Sequence, residues 1–166
     1  MTRQGRANGI LVTKILIYYK IDRQANGMCV NIQVQRMVAM SNTYHVLFIC
    51  TGNCCRSQMA EAMLKHLGGE RFQAFSAGTD PAGFIHPLVL GTMQHMEIPV
   101  RNQYSKSWHE VDSDHFDIVI TVCDHAAGQA CPVFPGHPVT AHWGLPDPSF
   151  HPGSEEEKLS FALEVA

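Results

Sequence analysis

The chain has 166 residues, 45% of them hydrophobic and 16% charged, which is the length and make-up of one globular domain with a sizeable core. Its net charge of −3 is uneven, because residues 1–40 hold Arg3, Arg6, Lys14, Lys20, Arg23 and Arg36 against Asp22 alone and the rest is acidic. An acidic domain lacks the basic face of a nucleic-acid binder, and no apolar run nears the roughly 20 residues of a membrane span.

The six cysteines are Cys29, Cys50, Cys54, Cys55, Cys123 and Cys131. A chain this long, with a core and no signal-peptide pattern, does not read as a secreted disulfide framework, so a reducing, cytoplasmic compartment is expected. The paired C-x2-C knuckles of a zinc site are missing, and the ten histidines form no close pair at ligand spacing. No metal site is therefore expected.

In chain order, residues 1–40 look foreign to the rest. Ile10–Tyr19 has strand composition but no turn or partner around it. This segment reads as extraneous or disordered, and the functional domain as residues 41–166. The apolar run His45–Ile49 then feeds the polar stretch Cys50-Thr51-Gly52-Asn53-Cys54-Cys55-Arg56, and Ser57–Leu67 repeats apolar residues at three- and four-residue intervals before Gly68-Gly69 ends a helix. Ser57 is expected at the helix N-cap. Phe72–Phe75 is a short strand. A second helix starts at Pro87 and runs to about Met96 on Leu88, Val89, Met93 and Met96, whose methionines are core filler. Ser107 caps a short turn through Glu110. Phe116–Val122 is nearly continuous in apolar and β-branched residues, as a buried parallel strand is, and ends at Cys123. Val139–Trp143 is a fourth strand, followed by Gly144-Leu145-Pro146-Asp147-Pro148. Ser154 with Glu155, Glu156 and Glu157 opens a last helix. That helix is expected to cover the sheet through Leu159, Phe161, Ala162 and Val165, and to be cut short at Ala166. Strands alternating with helices imply an α/β fold: a single doubly wound domain, its four-stranded parallel sheet covered by helices on both faces, with ligands at the strand carboxyl ends. Cys50 and Cys123 both stand at such ends.

A strand-to-helix loop turns several backbone N–H groups toward one spot, where the helix dipole is positive. That spot suits a tetrahedral oxyanion and should lower the pKa of a cysteine held there. Cys50 is thus the candidate nucleophile, with Thr51, Gly52, Asn53, Cys54, Cys55 and Arg56 as the oxyanion cradle. Arg56 adds a charged fork, and Ser57 a hydrogen bond to the sulfur.

The stretch C-T-G-N-x-C-R-S-Q-M-A-E, from Cys50 to Glu61, resembles the active-site loop of the low-molecular-weight tyrosine phosphatase superfamily, and most of all its arsenate reductase branch. Thr121–Pro132 and Ala141–Pro148 resemble the same branch, and the resemblance spans roughly residues 44–164. It implies that Cys50 attacks arsenate, that Cys123 then attacks Cys50 and releases arsenite, and that Cys131 attacks Cys123 to bring the disulfide to an external reductant. It also makes Asp147 the general acid. The reductant stays open between thioredoxin and glutathione with glutaredoxin, because Ser105–Trp108 and a redox segment one residue longer look like a second subgroup. Some relatives bind potassium through Asn, Glu, Ser and Asp. Here Asn53, Glu61 and Ser76 match while Lys106 stands at the Asp position, so no potassium site is expected.

Cys54 replaces the usual Ser, and Cys54 or Cys55 offers a non-productive disulfide to Cys50. The alternatives are a low-molecular-weight tyrosine phosphatase, which would share Cys50, Arg56 and Asp147, and an inactive anion-binding remnant. A monomer is expected. Removing residues 1–39 should leave arsenate-dependent thiol oxidation at the full-chain rate; a folded but inactive truncation would refute the domain boundary.

Overall fold

A computed structural model describes residues 43–111, 116–124 and 137–166. The leading segment 1–40, with Cys29, and the position of Cys131 lie outside the described residues. Four strands form one parallel sheet: β1 (Tyr44–Cys50), β2 (Phe72–Gly78), β3 (Ile118–Thr121) and β4 (Val139–His142). Their spatial order is β2-β1-β3-β4. The order therefore reverses between β1 and β3, and the crevice beyond the carboxyl ends of those two strands is where a doubly wound sheet binds its ligand.

Among the described residues the α-helices are α1 (Arg56–Leu67), α2 (Pro87–His95) and α3 (Glu155–Val165). Val46 to Cys50 of β1 are at most 3% exposed, and the first two turns of α1 are buried almost all round. This is why β1 reads as an unbroken apolar run: both of its faces are covered. α1 packs on β1 and β2. β4 is the exposed edge, with Val139 61% accessible.

Several boundaries differ from the sequence expectation, each for a physical reason. β2 continues three residues past Phe75 to Gly78, because Ser76, Ala77 and Gly78 stay in register with Phe48, Ile49 and Cys50. β3 is shorter than Phe116–Val122. The Asp117 N–H donates to His45 O at 3.0 Å, and its carboxylate accepts the His45 N–H at 2.7 Å, so a side-chain bond joins the backbone pairing where β3 begins. α1 begins at Arg56, with Cys55 as its N-cap, so Ser57 is inside the first turn rather than at the cap. α2 starts at Pro87 as expected, and the His86 Nδ1 accepts the Leu88 N–H at 3.2 Å. The turn Trp108–Glu110 and α3 both carry full capping boxes, from Ser107 with Glu110 and from Ser154 with Glu157. α3 packs mainly on α2 and on the turn Pro148–Phe150 rather than spreading over the sheet. Ala162 and Val165 are buried, whereas Leu159 and Phe161 are only partly so.

Gly78 ties the sheet to the loop that follows β1. A Cβ at this position would come within 2.5 Å of the Thr51 carbonyl oxygen and 3.0 Å of the Asn53 Cβ. Gly78→Ala should therefore cost about 1–3 kcal/mol in urea unfolding, as overpacking does, and weaken oxyanion binding at the loop. An unchanged midpoint with unchanged binding would refute this tight fit.

Candidate active site

Every backbone carbonyl from Cys50 to Cys55 is turned away from the loop interior. Cys50 O accepts from Thr79 N at 3.2 Å, Thr51 O from Asp80 N at 3.0 Å, Gly52 O from Ala82 N at 2.8 Å and Cys54 O from His86 N at 2.9 Å. Asn53 O accepts from Gln58 Nε2 at 3.0 Å, and Cys55 O from Met59 N at 3.0 Å. A trans peptide carries its N–H opposite its C=O, so the amides are presented to the inside. The Asn53 N–H lies 3.2 Å from Cys50 Sγ and shows that direction. A nest of amides at a helix N-terminus is an anion site in its own right.

Asn53 holds this shape. Its φ is +44°, a left-handed conformation that Asn tolerates better than most residues. The side chain is fully buried and saturated: Nδ2 donates to Ser57 Oγ and Ser76 Oγ, both at 2.9 Å, while Oδ1 accepts from Gln58 Nε2 at 3.1 Å and Lys106 N at 2.9 Å. The network continues outward. Ser76 Oγ donates to Glu61 Oε2 at 2.5 Å, Glu61 Oε1 pairs with Lys65, and the Lys106 ammonium lies 3.9 Å from Glu61 Oε2. Asn53, Glu61 and Ser76 are thus together, and the Glu61 carboxylate has two ammonium groups beside it, those of Lys65 and Lys106. Burial pushes the Lys106 ammonium down from its ordinary pKa, opposed by Glu61. Among the described residues no group of three or more His, Cys, Asp or Glu side chains is arranged to hold a metal.

Cys50 is buried at the bottom of the loop, with its Sγ 2.9 Å from Ser57 Oγ. The expected lowering of its pKa is outweighed. Burial raises the thiol most, and nearby Cys123 adds to that; the Ser57 hydroxyl, the Ser57 backbone and Arg56 pull it down. Ser57, displaced from the cap, is therefore placed to donate to the sulfur. Burial also pushes up Cys55, and Cys54, which is only partly covered, rises for the same first reason.

Arg56 spans from the loop to the segment after β4. Nη1 donates to Leu145 O at 2.9 Å and Nη2 to Asp147 Oδ2 at 2.6 Å. Asp147 Oδ1 accepts from Ser149 N at 3.0 Å and Ser149 Oγ at 2.6 Å. Arg56 Nε is buried with no partner among the described residues, an orphan donor of the kind an anion satisfies. From the other side, Cys123 arrives just beyond β3, its Sγ 3.5 Å from the hydroxyl of Thr51, the residue next to Cys50. Cys50, Arg56, Ser57, Asp147 and Cys123 therefore converge, whereas Cys131 lies outside the described residues.

Sequence reading missed Gln58, which braces both the Asn53 carbonyl and its side chain, and Gln103, whose Nε2 donates to Gln58 O and Oε1 at 3.0 Å each. The contacts of His142 were not legible either: Nδ1 is 2.8 Å from Thr121 Oγ1 and Nε2 is 2.9 Å from Asp124 Oδ1.

The family model for low molecular weight phosphotyrosine protein phosphatase matches residues 45–164. An arsenate reductase of Bacillus subtilis (strain 168) is 40% identical over 123 residues, covering 72% of this chain and 85% of the relative. Among solved structures, the Corynebacterium glutamicum thioredoxin-dependent arsenate reductase Cg_ArsC1′ superposes with TM-score 0.56 at 31% identity, covering 75% of this chain and 58% of that one. A structure described as an arsenate reductase in the phosphate binding state superposes with TM-score 0.60 at 27% identity, covering 73% and 91%.

Ser57→Ala removes an interaction that lowers the Cys50 pKa. The pH midpoint for iodoacetamide alkylation of Cys50, followed by mass spectrometry, should move upward. A midpoint that stays or falls would contradict the role given to the hydroxyl.

Proposed function

The chain belongs to the low molecular weight phosphotyrosine protein phosphatase family, within its arsenate reductase branch, and we propose that it reduces arsenate to arsenite using the sulfurs of Cys50 and Cys123. The observation that carries this reading is the delivery of two cysteines to one anion loop, from the ends of adjacent strands β1 and β3. A phosphatase needs one such sulfur, because water completes its reaction. A reductase needs two electrons, and two thiols supply them.

The amides of residues 51–56 and the free Arg56 Nε bind the arsenate oxygens, replacing lost water with fixed donors. Cys50 Sγ attacks arsenic, and a bond to oxygen breaks. Asp147, held at the guanidinium and stiffened by Pro148, hands a proton to the departing oxygen, which leaves as water. The Ser57 hydroxyl steadies the sulfur while its charge changes. Cys123 Sγ then attacks Cys50 Sγ. The sulfur–sulfur bond forms, the sulfur–arsenic bond breaks, and its electron pair stays on arsenic, which departs as arsenite. Two thiols and arsenate have become one disulfide, arsenite and water. Cys131, separated from Cys123 by seven residues in the sequence, takes over the disulfide and passes it to an external dithiol. Thioredoxin or glutaredoxin with glutathione fills that role, and the name of the Corynebacterium relative favours thioredoxin.

A second activity, hydrolysis of aromatic phosphate esters, follows from the same loop. Cys50, Arg56 and Asp147 suffice for it, and Phe150, 85% exposed just past Asp147, offers a ring to stack on.

Cys50→Ser should reduce both arsenite production and p-nitrophenyl phosphate hydrolysis by about a thousandfold or more. Cys123→Ser should abolish arsenite production while leaving hydrolysis near wild type. Turnover that survives Cys50→Ser would exclude both activities. Oxyanion binding without either reaction would leave only an anion-binding domain.

A further inference from the structure

His142 stands at the end of β4 and bridges two residues of the neighbouring chain segment. Its Nδ1 is 2.8 Å from the Thr121 hydroxyl and its Nε2 is 2.9 Å from an Asp124 carboxylate oxygen. Thr121 precedes Cys123 by two residues, and Asp124 follows it directly. The imidazole therefore closes a side-chain staple across the cysteine. On the N-terminal side the backbone is already pinned, because Val122 N donates to Ile49 O at 2.8 Å and Val122 O accepts from Leu145 N at 3.3 Å. The staple adds a hold on the C-terminal side, where β3 has ended. Gly144 makes room for it: a Cβ there would lie 2.6 Å from Asp124 Oδ1 and 3.2 Å from His142 Nε2.

We propose that His142 is a positioning residue for Cys123: by tying Thr121 to Asp124 it keeps the Cys123 sulfur against Thr51, in line for Cys50. This rests on the redox reading of Cys123 proposed above. The step served is the second one, in which Cys123 Sγ bonds to Cys50 Sγ, the sulfur–arsenic bond breaks and arsenic keeps the pair. Attack on the oxyanion by Cys50 does not involve the staple.

The bridge is no stability device. The Asp124 side chain is 90% exposed and that of His142 41%, and such surface pairs contribute little to folding. Its effect should be on geometry, to which reacting centres are far more sensitive: a displacement of about 1 Å can cost on the order of a hundredfold in rate. Loss of one side-chain tether should cost about tenfold. Charge predicts the opposite. Removing the Asp124 carboxylate takes a negative charge away from the neighbourhood of the attacking sulfur, which would not slow it.

The test uses the pre-reduced full chain and the variants His142→Phe, Asp124→Ala and Asp124→Asn. The asparagine offers both a donor and an acceptor to the ring, so it keeps the bridge while losing the charge. Three rates are read: single-turnover arsenite release with arsenate and no external reductant, Cys50–Cys123 disulfide formation driven by diamide and mapped by mass spectrometry, and p-nitrophenyl phosphate hydrolysis. His142→Phe and Asp124→Ala should slow the first two about tenfold, Asp124→Asn should stay within about twofold of wild type, and hydrolysis should not change. Wild-type rates of disulfide formation in His142→Phe would overturn the proposal, as would equal slowing of hydrolysis, which marks a general structural defect. Wild-type protein that forms the disulfide with diamide yet releases no arsenite would sink the reductase reading, while the diamide series would still decide the role of His142.

Discussion

The outward turn of six consecutive loop carbonyls is the constraint on which the site depends. Each of those oxygens has a partner outside the ring, from the backbone of residues 79–86, from the side chain of Gln58 or from the first turn of α1. With the acceptors committed outward, the amides converge without any charged residue having to be buried among them. That matters in an acidic domain, where the overall field repels anions and attraction must be local. Asn53 is the keystone of the turn, because its left-handed backbone reverses the chain and its saturated amide fixes the reversal. A buried amide that loses such partners costs about 1–3 kcal/mol for each group left unsatisfied, so the loop has no inexpensive alternative shape.

The same rigidity explains the treatment of sulfur. Cys50 is deep enough that desolvation dominates its protonation, and the Ser57 hydroxyl and Arg56 work against that burial. Cys50 is thereby kept from bulk water at the bottom of the loop. Cys123 is also buried, but comes from a different strand, and only the reversal of strand order between β1 and β3 puts the two strand ends side by side. Fold topology, not local sequence, makes the pair.

Much of this was legible beforehand, and the exceptions have a common cause. β1, α1, α2 and the capping box at Ser154 follow from apolar period and local hydrogen-bond chemistry, which a sequence displays directly. The loop from Cys50 to Arg56 and the turn Asp147-Pro148 are marked as candidates by residue type and spacing, and Arg56 and Asp147 do meet. Where reading failed, the decisive contact was long-range. Ser57 looks like a cap until Cys55 takes that place. The start of β3 carries a bond between the Asp117 carboxylate and the backbone of His45, 72 residues earlier. The pKa of Cys50 turns on burial, which no motif encodes. His142 and Asp124 are 18 residues apart and attached to different parts of the sheet edge, so no periodicity links them.

The bridge from Arg56 to Asp147 carries one further consequence. The guanidinium is already shared between a carboxylate and a carbonyl, and still holds back one buried N–H. A charge entering the ring would meet the same planar group that holds the Asp147 carboxylate. The reach from the buried Nε–H to the Asp147 carboxylate is set by the shape of one arginine rather than by the closing of a flap.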